Sequence, residues 1–207
     1  VTSMSIILNQ SRVILGPLTT TFVPPPACTV AVGACKTCNV AWLGQECVAT
    51  GAQDNTDCWP TTTEGALAPE PTLYGWGFYS PGLMCPQGYA SACSATAGSA
   101  GAGWPLQFKL TAGETAVGCC PSGYRCDNLN GQTCILSAAT MTVPSVSCAR
   151  GTSADFDFIT LPNRKINVFA PMIQINYQSS DQPTTSTITS TTGPGASNTQ
   201  PSSTPPA

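Results

Sequence analysis

Twelve cysteines, all lying between Cys28 and Cys148, and a complete lack of histidine constrain this 207-residue chain more than any other feature. Twelve in that stretch is about 10 %, the density at which a short secreted chain reads as a disulfide scaffold. The even count suits complete pairing of Cys28, Cys35, Cys38, Cys47, Cys58, Cys85, Cys93, Cys119, Cys120, Cys126, Cys134 and Cys148, with connectivity left open. Without histidine the chain lacks the commonest general base and metal ligand and the middle member of most nucleophilic triads. No catalytic or cofactor-binding residue and no metal site is assigned, and none of the residues calls for a cofactor.

Disulfides persist in oxidising surroundings, outside the cell or in the secretory path. The charge pattern agrees: only 8 % of residues are charged and the net charge is −3. No basic stripe is available to neutralise phosphates, which argues against a nucleic-acid partner. The chain opens at Val1 and its apolar start is too short for a signal-peptide core, so a leader is expected to have been removed or left out. No window reaches the roughly 18 apolar residues of a membrane span. The polypeptide therefore reads as soluble, and a membrane association is expected only through an anchor downstream of Ala207.

Composition divides the chain. Residues 1–27 carry no cysteine and read as extended, with Val23-Pro-Pro-Pro26 stopping regular structure. Asn9-Gln10-Ser11 is an N-glycosylation sequon, with Asn9 as acceptor. Residues 28–148 form the cysteine-rich body. Within it, Leu106-Phe108-Leu110 alternates with polar residues as a half-buried strand does, and Thr115 to Cys119 reads as a second strand. Residues 149–178 hold two further strands. Phe156 and Phe158 alternate with Asp155 and Asp157, and Ile173, Ile175 and Tyr177 alternate with Gln174, Asn176 and Gln178, giving each one apolar and one polar face. Pro162-Asn163 suits the turn between them, and Pro171 predicts a break, a bulge or an edge. From Ser179 to Ala207 fifteen of 29 residues are Ser or Thr and five are Pro. Such a segment has nothing to pack and reads as a disordered, O-glycosylated stalk. The expected fold is a small, irregular, disulfide-rich all-β domain over 1–178, with the stalk at 179–207.

Cys85-Pro-Gln-Gly-Tyr89 recurs as Cys120-Pro-Ser-Gly-Tyr124. Each copy predicts a tight turn in which Pro sets one dihedral, Gly permits positive φ and Tyr packs back over a bridge. The vicinal Cys119 and Cys120 are expected to point to opposite sides of a strand and to take different partners. The run Glu114 to Cys126, continuing to Cys134, resembles the cysteine-rich ectodomains of filamentous-fungal cell-surface proteins. Leu18–Cys28, Phe78–Cys85 and Ile166–Asp181 are similar to three further blocks of that family. The resemblance implies a surface ectodomain, followed by a Ser/Thr-rich stalk, a single membrane span and a short cytoplasmic tail. The Cys-Cys-Pro-x-Gly-Tyr-x-Cys core at 119–126 is also similar to half a granulin module.

Among candidate sites, Cys35-Lys-Thr-Cys38 lacks a thioredoxin-like context and a second zinc-knuckle pair, so it reads as structural. Asp155 with Asp157, and Asp54 with Asp57, read as solvated surface carboxylates rather than an opposed acid–base pair. The EF-hand spacing is absent around Asp54. The aromatic residues Trp42, Trp59, Tyr74, Trp76, Tyr79 and Trp104 form either the core of a small domain or a platform on which sugar rings stack. The leading expectation is a non-enzymatic extracellular, cell-surface ectodomain for wall contact, adhesion or sensing, with cell-wall polysaccharide or an extracellular protein as partner. A secreted polysaccharide hydrolase using paired carboxylates, and a small inhibitor or effector module, are the alternatives.

Overall fold

The structure, a computed structural model, describes residues 12–33, 38–64, 66, 77–98, 104, 106–127, 132–138, 142–149, 152–160 and 165–183, with backbone alone for 142–147, 149 and 152–160. In chain order the strands are β1 (Ile14–Leu18), β2 (Ala31–Gly33), β3 (Val40–Trp42), β4 (Gln45–Val48), β5 (Gly51–Asp54), β6 (Phe78–Gly82), β7 (Tyr89–Thr96), β8 (Glu114–Pro121), β9 (Arg125–Asp127), β10 (Thr133–Ala138), β11 (Thr142–Ala149), β12 (Thr152–Thr160), β13 (Ile166–Pro171) and β14 (Ile173–Gln178). Short 3₁₀ turns occupy Pro26–Thr29, Thr56–Cys58 and Ser179–Asp181. The protein is a small, disulfide-rich all-β domain. No helix among the described residues is long and apolar enough to cross a membrane.

A five-stranded sheet runs β1-β6-β14-β8-β7, a seven-stranded sheet runs β12-β11-β2-β3-β13-β10-β9, and β4-β5 is a separate hairpin. The chain passes from the larger sheet to the smaller at Pro171–Met172. Pro171 closes β13 opposite Thr133, and β14 starts at Ile173 against Cys119. Proline removes one ladder donor, so this is where the ribbon leaves one sheet and joins the other. The predicted break at Pro171 is a sheet crossover.

The larger core cluster draws Ala31, Ala41, Val168 and Ala170 from the seven-stranded sheet and Ala95, Ala116 and Cys120 from the five-stranded one. It therefore lies between the sheets. A second cluster of Leu15, Leu18, Tyr79, Cys119, Ile173 and Ile175 covers the other face of the five-stranded sheet. Around β14 that sheet is buried on both faces, so β14 has the expected apolar and polar faces but both are dry over Ile173–Asn176. Gln174 and Asn176 are 1 % and 0 % exposed. They point into the inter-sheet space on the same side as Glu114 and Ala116, while Ile173 and Ile175 line the outer cluster.

Two other expectations change. Leu106–Leu110 is not a strand. Phe108 alone makes a bridge, and its buried ring lies 5.4 Å from Phe78. The apolar alternation marks side chains tucked under a loop. Val23–Pro26 ends the extended run as expected, but Pro26 itself starts a 3₁₀ turn, at a helix position where its missing N–H costs nothing.

Five bridges are described: Cys28–Cys58, Cys47–Cys148, Cys85–Cys119, Cys93–Cys126 and Cys120–Cys134. Cys38 is also disulfide-bonded, and Cys35 lies outside the described residues. Cys119 and Cys120 go to different partners and different core clusters. The two Cys-Pro-x-Gly-Tyr turns have Gly88 at φ 82° and Gly123 at φ 88°. In each turn the Tyr amide donates to the Pro carbonyl, at 3.0 Å from Tyr89 to Pro86 and 2.9 Å from Tyr124 to Pro121. The turns also meet, because the Ser122 amide donates to the Gly88 carbonyl at 2.9 Å. The internal echo is thus a stacked pair of turns at one end of β7 and β8.

Candidate functional site

Of the sugar-platform candidates among the described residues, Trp59 and Tyr79 line one cleft, whereas Trp104 and Trp42 lie elsewhere. Trp104 is 4 % exposed within the inter-sheet core. Trp42 is half-buried and stacks on Phe169, with ring centroids 4.5 Å apart. Its strand neighbour Ala41 faces the inter-sheet core, so alternation places Trp42 on the far face of the seven-stranded sheet. Trp59 instead packs on the outer face of the five-stranded sheet. Tyr74, Trp76 and Asn9 lie outside the described residues, as do Pro162-Asn163, expected as a turn, and residues 184–207, expected as stalk.

Trp59 belongs to a cleft of about 560 Å³ on that outer face, within the size range of ligand pockets, roughly 300–1,000 Å³. One lip is the extended segment Phe22–Pro25. The other runs from Thr56 to Thr62 and carries Asp57, Trp59 and Pro60, with Tyr79 between the lips. The Cys28–Cys58 bridge, with Cα atoms 5.5 Å apart, ties the end of the first lip to the middle of the second. Backbone hydrogen bonds pin both lips. The Gln87 amide donates to the Phe22 carbonyl at 2.7 Å, and the Thr63 amide donates to Leu15 at 2.8 Å. The Tyr79 hydroxyl donates to the Pro60 carbonyl at 2.6 Å. Burial raises the Tyr79 pKa, so the phenol stays a donor at any ordinary pH.

The polar groups of the cleft are the exposed Thr56, Thr61 and Thr62 hydroxyls and the exposed Asp57 carboxylate. Asn55 caps the 3₁₀ turn through its Oδ1, which accepts from the Asp57 amide at 3.1 Å, and this sets the Asp57 side chain at the rim. Asp54 and Asp57 are therefore not a pair. Asp54 is 3 % exposed at the end of β5 and accepts from the Gln45 side-chain amide, which corrects its reading as solvated surface. Asp155 and Asp157 have strand backbone in β12, at an edge of the seven-stranded sheet. Their side chains lie outside the description. Among the described residues no group of three or more Cys, Asp or Glu could hold a metal ion. The described residues of the cleft offer one carboxylate, aromatic and proline surface, hydroxyls, and no cation.

The other concentration of polar chemistry is structural. Arg12 donates to both carboxylate oxygens of Glu114, at 2.8 and 2.7 Å. Thr111 donates to Glu114 through its amide and its hydroxyl, and Asn176 Nδ2 donates at 2.9 Å. Gln174 donates to Asn176, and Gln132 donates to Gln174. Burial opposes ionisation of Glu114, but these donors outweigh it and bring its pKa down to about 2. The chain of side chains joins the N-terminal arm, the 106–113 loop, β8, β14 and the start of β10. Its Glu114, Asn176, Gln174 and Gln132 members are buried, while Arg12 and Thr111 reach the surface.

The sequence reading missed Phe22, Thr61 and Thr62 as cleft residues. The only available signal was proline beside each lip, and without the Cys28–Cys58 pairing nothing brings them together. Compared with known proteins, the chain matches no family model, no curated protein and no solved structure.

Proposed function

We propose that the chain is a non-enzymatic extracellular contact head, displayed at a cell surface for wall contact, adhesion or sensing. The bridged, all-β body supports the extracellular part, since such cross-links belong to oxidising compartments. The observation that carries the contact role is the braced cleft at Trp59, which is sized for a ligand and has a single carboxylate among the described residues of its walls. A polysaccharide hydrolase wants two opposed carboxyl groups about 5–9 Å apart, and the described residues of the cleft supply one. The Ser/Thr/Pro-rich composition after Gln182 supports a stalk that gives the head reach. On this reading the full gene product carries an apolar span of about 20 residues, or a lipid-anchor signal, beyond Ala207.

Co-sedimentation of the recombinant head with insoluble wall polymers, with reducing-end release followed in parallel, tests the proposal. Retention without sugar release is expected. Release of soluble sugar would make the protein a hydrolase. Failure to be retained by any wall polymer would remove wall contact.

A further inference from the structure

We infer that the cleft between Phe22–Pro25 and Thr56–Thr62 binds a neutral polysaccharide chain, with a pyranose ring stacked against Trp59 and its hydroxyls held by Asp57 and the adjacent threonines. The inference rests on the reading of the chain as an extracellular contact head and names the ligand class of that head.

The chemistry of the walls selects the occupant. Among the described residues no Lys or Arg lines the cleft, and against these walls an anionic polymer would lose the hydration of its charges and gain no counter-charge. A purely apolar ligand would bury the Asp57 carboxylate and three threonine hydroxyls without partners, which is costly. A neutral pyranose suits both kinds of surface. Its C–H face is apolar and packs on an aromatic ring, and its equatorial hydroxyls donate. A carboxylate is acceptor-only and takes two such donors at once, one on each oxygen, in strong charge-assisted bonds. The Asp57 carboxylate is at the rim and exposed. Threonine hydroxyls both donate and accept, which matches the mixed needs of a sugar edge.

The frame is built before the ligand arrives. The Cys28–Cys58 bridge links the chain just beyond the first lip to the second, and the Tyr79–Pro60 and Thr63–Leu15 hydrogen bonds fasten the Trp59 lip to β6 and β1. A site fixed in advance loses little entropy on binding, which matters for a ligand held by a few weak contacts. The cleft is open to solvent along the exposed Thr61–Thr62 rim, so a ring inside a long chain can enter without a free end.

The test titrates the 207-residue head with linear neutral hexasaccharides of β-1,3-glucan, chitin and mannan by calorimetry, with Trp fluorescence as a second readout. Binding of at least one is expected. Asp57→Asn should weaken it about tenfold, and Trp59→Ala should weaken it at least tenfold, as loss of a central aromatic anchor does. Trp59 also packs on the outer core cluster, so its variant could unfold. Asp57→Asn and Thr61→Val change exposed side chains and decide the matter in that case. Tyr177→Ala, in the neighbouring depression formed with Leu83, Val117 and Pro183, should leave binding unchanged. The inference is overturned if none of the hexasaccharides binds, if binding survives the cleft variants, if it is lost through Tyr177→Ala instead, or if a cationic peptide competes for the cleft and the sugars do not. Retention on wall polymers that survives every cleft variant would leave the contact head standing and remove only this assignment. No retention at all would remove both.

Discussion

Glu114 shows how one residue can hold a small protein together from inside. Its carboxylate is 3 % exposed yet ionised, because Arg12, Thr111 and Asn176 supply donors from three separate segments. The pKa falls from the ordinary 4.5 to about 2. A depressed carboxylate contributes stability above its unfolded value and loses it as pH drops through its folded value. The window is therefore pH 4.5 down to 2, and the contribution at stake is on the order of 2–3 kcal/mol. Urea denaturation across that window should show the loss. Glu114→Gln should be less stable by about 2–3 kcal/mol at neutral pH, with a flatter acid limb. None of this was legible in the sequence. The alternation at 173–178 tells which residues share a face, but only the opposing sheet decides that the Gln174–Asn176 face is dry. Glu114 then becomes the anchor of the amides that must be satisfied there.

At the scale of elements, β8 is the strand on which the domain is stapled. Cys119 bridges outward to Cys85 and Cys120 bridges inward to Cys134, because adjacent residues of a strand point to opposite faces. The alternation at 115–119 and the vicinal cysteines made that much readable. Gly118 carries a constraint that the sequence concealed. A Cβ there would sit 2.5 Å from Cys93 Sγ and 2.8 Å from Met172 Sδ, so the Cys93–Cys126 bridge crosses directly over the bare backbone. Gly118→Ala should cost about 1–3 kcal/mol through overpacking, read as a lowered urea midpoint with an unchanged slope. The error at Leu106–Leu110 has the same origin. A period of two records which side chains turn inward, whereas a strand also needs a neighbour to pair with, and Phe108 alone finds one.

Over the whole molecule, long-range cross-links bind together pieces with little regular structure. Cys47–Cys148 spans 101 residues and fastens the β4–β5 hairpin to β11. In the chain-entropy account a loop of that length is worth about 4–5 kcal/mol. Replacing both cysteines by serine should lower stability by about that much, measured by urea unfolding. Thiol titration of the denatured, unreduced protein should find the described cysteines unreactive, since each is bonded. Composition and short-range pattern by themselves determined the oxidising compartment, the disulfide framework, the all-β class and the two echoing turns. Those properties depend on residue counts and on geometry within a few residues. Only the tertiary structure decided the pairings, the dry polar face of β14, the dispersal of the aromatic residues and the cleft at Trp59. Each of these requires segments far apart in the chain to meet. They do so through the β1–β6 and β6–β14 parallel pairings and the Cys28–Cys58 bridge, and local sequence carries no record of such meetings.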